Sequence, residues 1–372
     1  MSGDGGLVTL CLAGDVMLGR GVDQILPHPG DPALREPYIR DARDYVELAE
    51  AANGPIPRPV DFEWPWGDAL RVLDEAAPDA RILNLETGVT RHGCFAPGKG
   101  VHYRMAPANL PALSAARPDV CVLANNHVMD FGRRGLDETL GALAAAGLRT
   151  AGAGRDIDTA RLPAAVPLPG GHRVLVFALG MLSSGIPFGW AAAGDLGGVD
   201  FVPEPSLSAA AELVARVRQW KRPGDLAVVS LHWGSNWGHE IDRDTVGYAR
   251  ALIDGGVDLV YGHSSHHPRA LEVHRGKLIL YGCGDLIDDY EGITGYERYR
   301  DDLRPLYLAT VRADSGRLEG LRIAVLRAER MRLRYAGDRD RAWLGTTLDR
   351  VSRPFGTRVE VAPDGALAVR TV

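Results

Sequence analysis

Five short clusters of acids, amides and imidazoles could together carry out a metal-assisted reaction. They are Gly14-Asp15-Val16-Met17, Asn84-Leu85-Glu86, residues 125–130 (NNHVMD), His232-Trp233-Gly234 and residues 262–267 (GHSSHH). Four of the five follow directly on a short apolar run that is typical of a buried strand. Side chains at the carboxyl edge of a central sheet converge on one crevice. The recurrence of these clusters therefore indicates an enzyme.

Two carboxylates stand at predicted strand ends. Asp15 follows the apolar run of residues 7–13 at a glycine turn, and Glu86 directly follows residues 81–85. A carboxylate in such a place suits a hard metal ion. The alternative for both is a structural carboxylate that caps a helix or closes a turn.

An amide and an imidazole lie side by side in the third cluster. Asn126 and His127 come just after a buried run, and Asp130 lies three residues beyond the imidazole. Asp130 can orient the ring of His127 through Nδ1, as the acidic partners of catalytic or metal-bound histidines do. The alternative is a turn that the asparagine side chains close.

The last two clusters contribute four histidines. His232 ends a predicted strand, where it is either a ligand or a satisfied core histidine, and Trp233 beside it either walls a pocket or packs. Crowded imidazoles repel one another when charged, and a metal ion or paired carboxylates relieve this. His263, His266 and His267 are crowded in this way, and Asp285 lies nearby in the chain. The alternative is that these residues form a polar turn.

Arginines and long loops are the candidates for substrate contacts. Arg20 and Arg104 can pair with a substrate carboxylate, or they are solvated surface residues. Residues 23–66 and 180–204 show little periodicity and predict long loops that wall the site. Their tryptophans, which either stack on an aromatic substrate or pack on the core, are Trp64, Trp66 and Trp190.

The elements that must position these residues alternate along the chain. Near-continuous apolar runs predict strands covered on both faces, at residues 7–13, 81–85, 120–124, 173–179, 226–231, 257–261 and 278–281. Helical periodicity lies between them, at residues 68–76, 135–146, 206–220 and 245–254. Beyond residue 311 the pattern predicts short strands at 318–326 and 357–361 and a helix near 342–351. Strand–helix alternation of this kind indicates a layered α/β sheet.

Bulk composition narrows the class of protein. The chain has 372 residues and a net charge of -6, which gives no basic footprint for nucleic acid. No apolar run approaches the length of a membrane span, and no basic-then-apolar leader begins the chain. The four cysteines form no C-x-x-C pair and predict buried free thiols in a reducing compartment. We therefore expect a soluble cytoplasmic protein without a membrane partner.

Taken in order, several motifs resemble the CapA (poly-γ-glutamate capsule-synthesis) family of the calcineurin-like metallophosphoesterase fold. They are LAGDVMLGR, LNLETGVT, LANNHVMDFG, LHWG and the GH..HHP run ahead of LILYGCGD. The resemblance implies a two-sheet α/β sandwich flanked by helices, with a metal site at the strand ends. We expect a catalytic domain over residues 1–312 and a C-terminal extension, residues 313–372, packed on it. The resemblance assigns metal positions to Asp15, Glu86, Asn126, His232, His263 and His266, and the reacting imidazole to His127.

The chain departs from the phosphoesterase pattern at two of these positions. Met17 stands where phosphoesterases have the histidine of Asp-x-His, and Glu86 replaces an aspartate. A thioether does not replace an imidazole for a hard or borderline dication, which argues against a full two-metal centre. The oxygen ligands favour Ca, Mg or Mn, while the histidines also admit Zn or Fe. We expect no organic cofactor.

The motifs also resemble a smaller branch, the lasso-peptide epimerases, which invert the Cα of a C-terminal tryptophan in a precursor peptide. Epimerisation needs two acid/base groups on opposite faces of the substrate. His127 with Asp130 can form one pair, and His266 or His267 with Asp285 the other. The implied partners are the C-terminus of the precursor peptide and a leader-peptide-binding protein.

Three functions therefore compete. The leading prediction is a metal-dependent peptide epimerase. The alternative is a metal-dependent hydrolase of the CapA type, either a phosphoesterase or an amide-bond enzyme of poly-γ-glutamate metabolism. The third is a peptide-binding scaffold with a degenerate site. Metal number separates the first two: one ion with two spare His–Asp pairs favours the epimerase, whereas two close ions favour hydrolysis.

Overall fold

Apolar strands alternate with amphipathic helices through most of this chain, and their packing builds two sheets that stack face to face. The computed structural model describes residues 6–371. The helices are Gly21–Ile25 (α1), Arg43–Asn53 (α2), Asp68–Ala76 (α3), Leu110–Ser114 (α4), Gly132–Ala145 (α5), Ile157–Arg161 (α6), Leu207–Trp220 (α7), Arg243–Gly255 (α8) and Asp338–Ser352 (α9).

The strands are short except at the centre of the first sheet. They are Leu7–Val16 (β1), Ala80–Leu85 (β2), Gly88–Val89 (β3), Arg104–Met105 (β4), Val120–Val122 (β5), Arg149–Ala151 (β6), Ala153–Gly154 (β7), Ala164–Pro167 (β8), Arg173–Met181 (β9), Gly198–Val199 (β10), Phe201–Val202 (β11), Leu226–His232 (β12), Leu259–His263 (β13), Leu271–His274 (β14), Lys277–Leu280 (β15), Asp285–Ile287 (β16), Leu303–Arg312 (β17), Leu318–Ala328 (β18), Leu333–Tyr335 (β19), Thr357–Val361 (β20) and Leu367–Thr371 (β21). All the strands predicted from apolar runs are present, with shifted ends.

Each of the two main sheets has a parallel part and an antiparallel part. The first has the order β20-β21-β18-β17-β1-β2-β5-β6, and β1, β2, β5 and β6 run parallel. The short strand β16 also runs parallel to β1, at the carboxyl end of that strand. The second sheet has the order β11-β9-β12-β13-β15-β14, with β9, β12, β13 and β15 parallel. The two parallel parts place two sets of carboxyl strand ends in the same molecule.

The alternation of side chains along β1 shows how the layers stack, because successive side chains point to opposite faces of a sheet. Leu10 and Leu12 lie in one buried cluster with Val228 and Val260 of the second sheet. Cys11 and Ala13 lie in the other cluster, with apolar residues of α2, α3 and α5. The apolar faces of α7 and α8 cover the far side of the second sheet. The predicted α/β sandwich of two sheets flanked by helices is thus confirmed.

The C-terminal segment continues the first sheet. β17 and β18 pair in antiparallel register from Leu303–Arg327 to Val311–Leu318, and β18 then pairs with β21. Helix α9 buries Leu344 and Leu348 in the cluster that lies between the sheets. Residues beyond 312 therefore add strands to the first sheet and apolar side chains to the core that the preceding residues form.

Several sequence predictions need correction. The predicted loop of residues 23–66 contains helix α2, which buries Tyr45, Val46 and Ala49; its apolar stripe is too narrow to stand out among charged neighbours. The cysteines are free as predicted, but Cys94 is exposed rather than buried. Within residues 6–371, no helix combines the length and the apolar character that a membrane span requires.

Candidate metal centre

The predicted site residues meet where the carboxyl ends of both parallel sheets come together. β1 and β2 carry Asp15 and lead into Glu86, and β12 and β13 end at His232 and His263. All four residues are buried. The hydroxyl of Tyr261 on β13 donates a hydrogen bond to the carbonyl oxygen of Ala13 on β1, which joins the two sheets beside the site.

One ligand set consists of Asp15, His232 and His263, whose ligand atoms all lie within 4.8 Å of one another. His263 Nδ1 lies 3.7 Å from Asp15 Oδ1 and 2.8 Å from His232 Nδ1. Two further predicted ligands border this set. Asn126 Oδ1 lies 3.2 Å from His232 Nε2, and Glu86 Oε1 lies 3.8 Å from the same nitrogen. The structure therefore brings together the predicted carboxylate, amide and imidazole ligands.

A second ligand set shares Asp15 and adds His266 and Asp285, again with all ligand atoms within 4.8 Å. His266 Nδ1 lies 3.0 Å from both carboxylate oxygens of Asp285. The close approach of β1 and β16 depends on Gly14, because a Cβ there would stand 1.7 Å from the carbonyl oxygen of Gly284. Glycine at position 14 thus lets the two aspartates reach one centre.

The carboxylates of this centre repel one another without a cation. Burial, followed by the charges of Glu86 and Asp285, raises the pKa of Asp15 well above its usual value. Burial, together with the charge of Asp285, raises the pKa of Glu86 to about 8. A divalent cation relieves both effects, since it favours the charged form of each carboxylate. The acids therefore fit a metal ion.

The two imidazoles of the first ligand set are neutral, whereas the charge and hydrogen bond of Asp285 outweigh burial and raise the pKa of His266 above its usual value. Burial lowers the pKa of His263 to about 3 and that of His232 well below its usual value, so both rings are neutral, as a metal ligand must be. Burial raises the pKa of Asp285, but the charge and hydrogen bond of His266, together with Arg304, outweigh it and lower the pKa to about 2.

The ligand sets can hold one ion each, with Asp15 common to both. This differs from the expectation drawn from Met17, because His266 and Asp285 complete the second set without a ligand at position 17.

His127 lies beside the centre but belongs to neither ligand set. Its Nδ1 is 2.6 Å from Asp130 Oδ2, as predicted, and its Nε2 is 3.9 Å from Glu86 Oε1. Burial lowers the pKa of His127 to about 4, despite the charge of Asp130. Because the carboxylate accepts the proton on Nδ1, the neutral ring keeps its lone pair on Nε2. This lone pair makes His127 a proton acceptor near the metal ligands.

Lys99 completes this group, and the sequence did not predict it. Its ammonium donates to the carbonyl oxygen of Asn126 and to Asp130, and Nζ lies 3.0 Å from His127 Nδ1. The ring of Trp190 lies 5.2 Å from Nζ, so the predicted wall loop does reach the site here. The rarity of lysine could have singled out Lys99, because the chain has only three lysines. The other two, Lys221 and Lys277, also bind a buried carboxylate, that of Asp258.

A buried charge network behind the centre was also missed. Asp288 and Asp289, which follow strand β16, are both buried. Arg304 Nη1 lies 2.6 Å from Asp288 and 3.4 Å from Asp285. These contacts could not be predicted because the arginine arrives from β17, after an irregular stretch of chain. Arg304 therefore holds Asp285 in place from behind.

His267 does not share the role predicted for its neighbour. The structure pairs His266, and not His267, with Asp285. His267 Nδ1 instead donates to the carbonyl oxygen of Pro268 at 3.1 Å, and its ring stacks on Tyr299 with centroids 4.5 Å apart. Adjacent residues after a strand point in different directions, so the sequence could not choose between the two histidines.

The two arginines predicted to bind substrate form ion pairs and hydrogen bonds with other residues of the chain. Arg20 is buried, lies 2.5 Å from Asp289 and 2.9 Å from Glu36, and has no free edge for a ligand. Arg104 donates to the carbonyl oxygens of His92 and Asp31 and so fastens two loops. Both predictions were wrong because the carboxylate and carbonyl partners lie far away in sequence.

Trp233 is a core residue and not the wall of a pocket. Only 3% of its surface is exposed, and its indole nitrogen donates to the carbonyl oxygen of Tyr281 at 3.0 Å. Its ring also stacks on Tyr281, with centroids 6.2 Å apart. Of the two alternatives for this tryptophan, packing is therefore the correct one.

Comparison with known proteins assigns the family. Residues 9–290 match the sequence model described as "Bacterial capsule synthesis protein PGA_cap". The chain therefore belongs to this family, which confirms the resemblance to CapA proteins. A "Probable polyglutamine synthesis accessory protein" of Mycobacterium tuberculosis is 54% identical over 370 residues, covering 99% of this chain and 97% of that protein.

More distant relatives share part of their length with this chain. The "PGA biosynthesis protein CapA" of Bacillus subtilis is 27% identical over 79% of this chain and 66% of its own. A phosphatase of known structure from Mycoplasma pneumoniae covers 87% of this chain and 95% of its own, at 11% identity and a TM-score of 0.44. The names of the two sequence relatives refer to polymer synthesis, and neither refers to an epimerase.

Proposed function

We propose that this protein is a metal-dependent hydrolase of the CapA type that acts on a glutamate polymer during its synthesis. The observation that carries the proposal is the position of Asp15, which the two ligand sets share. Two ligand sets so close together suit two divalent ions, the arrangement that favours hydrolysis over epimerisation. Family membership and the names of the relatives support the choice of polymer.

The His–Asp pairs support the same choice. An epimerase needs two proton-transferring groups on opposite faces of its substrate. The pair of His266 and Asp285 belongs to the second ligand set, so its nitrogen and oxygen atoms are needed for metal binding. His127 with Asp130 then remains as the one predicted pair outside the ligand sets. One such group meets the need of a hydrolase, which moves a proton from water to the leaving group.

The residues of the chain have defined tasks in this proposal. Divalent ions in the centre supply Lewis-acid polarisation of the scissile carbonyl or phosphoryl group. His127 Nε2 accepts a proton from the attacking water and returns it to the leaving group. Asp130 keeps the proton on Nδ1, and Lys99 balances the charge of Asp130, so that the ring stays neutral before it reacts.

The test combines metal analysis with a substrate panel. Metal content is measured by plasma mass spectrometry, and turnover is measured on γ-glutamyl oligomers and on a phosphodiester, with and without chelator. We expect about two ions per chain and chelator-sensitive cleavage of the γ-glutamyl amide. His127→Gln should keep its metal but lose roughly 100- to 10,000-fold in turnover, the usual contribution of a general base. Asp15→Asn should lose the metal.

His274→Gln is the matched control, because His274 contacts Asp254 on the surface, away from the centre. It should keep both metal and turnover. Incubation of peptides in deuterated water separates the competing functions. One ion per chain, with deuterium gained at a Cα and no cleavage, would replace the proposal by the epimerase. If the protein binds no metal and turns over no substrate, the peptide-binding scaffold would be the function that remains.

A further inference from the structure

Arg269 is a buried arginine without an acidic partner. Only 5% of its surface is exposed, and no carboxylate of the described residues lies within 4 Å of its guanidinium. The other buried arginines differ, since Arg20, Arg104 and Arg304 each have a carboxylate within 3.2 Å. Burial of an unpaired charge costs several kcal/mol in proteins. Burial of Arg269 therefore lowers the free energy of unfolding, so its presence in the core is not explained by stability.

The hydrogen bonds of Arg269 leave part of its guanidinium unused. Nη2 donates to the carbonyl oxygen of Ser235 at 2.6 Å and to its hydroxyl at 3.0 Å. Nε is buried without a partner, and Nη1 makes no hydrogen bond to the described residues. Nη1 lies next to Gly234, where a Cβ would come within 2.9 Å of it. The free nitrogen thus lies beside Gly234, and the next two residues of the chain, Ser235 and Asn236, are exposed.

The surroundings of Arg269 connect it with the metal centre. Asn236 Nδ2 lies 2.9 Å from Nε2 of His266, a member of the second ligand set. The ring of Trp237 also contacts His266, with centroids 5.3 Å apart. The loop that carries Ser235, Asn236 and Trp237 therefore spans the distance from the free guanidinium edge to a metal ligand.

Acidic groups of the protein do not take up the free edge. Asp242 is near enough to act on the charge of Arg269, but both of its oxygens cap helix α8 through Thr245. Arg350 contributes further positive charge on the same side, through its effect on the nearby His239. An anion from outside the chain would therefore meet a positive charge that no carboxylate of the described residues pairs with.

We propose that Arg269 is a substrate-binding residue that receives a pendant α-carboxylate of a γ-glutamyl chain beside the metal centre. This inference rests on the proposed function for the choice of polymer. Guanidinium groups form strong charge-assisted hydrogen bonds with carboxylates, which explains why the fold retains an unpaired buried charge here. The next γ-glutamyl unit of the same chain then lies toward His266 and the reacting centre.

The experiment measures binding in chelated protein, so that a failure of metal-dependent hydrolysis does not affect it. The probes are tri-γ-glutamate, the same trimer with its carboxylates converted to carboxamides, and inorganic phosphate, at constant ionic strength. We expect tri-γ-glutamate to raise the Tm of the wild type and the carboxamide trimer to leave it unchanged. Arg269→Gln should weaken the affinity for tri-γ-glutamate at least about tenfold. Its own Tm without ligand should not fall, because an unpaired buried charge is removed.

Arg173→Gln is the control, since Arg173 pairs with Asp225 at the opposite end of the second sheet and should not affect the affinity. A measurement on the wild type avoids any folding defect: the Arg269 Nε–H signal in a ¹⁵N spectrum should shift with tri-γ-glutamate, and that of Arg173 should not. Equal binding of phosphate and tri-γ-glutamate would overturn the substrate assignment. An unshifted Arg269 signal, or unchanged affinity in Arg269→Gln, would overturn the site.

Discussion

The Nδ1 atoms of His232 and His263 face each other at 2.8 Å. Two neutral imidazoles share one proton across such a contact. Ser230 Oγ lies 2.7 Å from His263 Nε2, and Asn126 Oδ1 lies 3.2 Å from His232 Nε2. The hydrogen bonds can therefore all run in one direction: Ser230 donates to His263, His263 donates to His232, and His232 donates to Asn126. A metal ion bound at Nδ1 of both rings would require the shared proton to lie on Nε2 of His263, where the hydroxyl of Ser230 can accept it, because a ligand nitrogen carries no proton.

Metal binding near neutral pH should release protons. Glu86, with its pKa raised to about 8, is largely protonated at pH 7 in the metal-free protein, and the pKa of Asp15 is also raised. A cation favours the ionised forms and displaces these protons. Isothermal titration calorimetry in buffers of different ionisation enthalpy should show a net release of protons on metal binding. Glu86→Gln should release fewer, and equal release by both proteins would contradict the assignment of Glu86.

The metal-free protein should become less stable as pH rises from about 6.5 to about 8. Below this range His127, His232 and His263, whose pKa values are lowered from the usual 6.5 in the folded state, oppose the trend, and within it they are mostly neutral in both states. The pKa of Glu86 is raised from its usual 4.5 to about 8 in the folded state. Between these values the unfolded chain has lost the proton and the folded chain keeps it, so the free energy of unfolding falls with rising pH. Thermal unfolding of chelated protein from about pH 6.5 to about pH 8 measures the slope. Glu86→Gln and metal saturation should each flatten it, and an unchanged slope in both would refute the prediction.

Lys99 and Asp130 should move the pKa of His127 in opposite directions. Burial, followed in importance by the opposing charge of Asp130 and then by Lys99, sets this pKa to about 4. Lys99→Met removes a positive neighbour and should raise the pKa of His127. Asp130→Asn removes a negative neighbour and should lower it. Histidine ¹H–¹⁵N spectra over a pH series, assigned with His127→Gln, measure both; shifts of the same sign would show that charge is not the cause.

Trp233 should affect stability and not metal binding. Trp233→Phe removes the donor to the Tyr281 carbonyl and should cost about 1–3 kcal/mol in the free energy of unfolding, as an unsatisfied buried acceptor does. Chemical denaturation measures this loss, and plasma mass spectrometry should find the metal content unchanged. Loss of metal without loss of stability would restore the earlier prediction that Trp233 belongs to the site.

Local patterns were enough to predict the strands and most helices. Apolar runs mark strands that are buried on both faces, and helical periodicity marks α3, α5, α7 and α8. Strand ends also predicted the metal ligands, because parallel strands bring their carboxyl ends to one edge. Asp15, Glu86, Asn126, His232 and His263 could therefore be placed near one another from sequence and family resemblance.

Partners that are distant along the chain could not be predicted. The sequence does not show that Asp289 comes from 269 residues away to meet Arg20, or that Lys99 reaches Asp130. It also left open whether His266 or His267 meets Asp285. Burial and charge pairing depend on which surfaces the fold brings together, and neighbours in sequence can point to opposite sides of a turn. The sequence alone thus determined which residues can do chemistry, and the tertiary structure decided which of them meet.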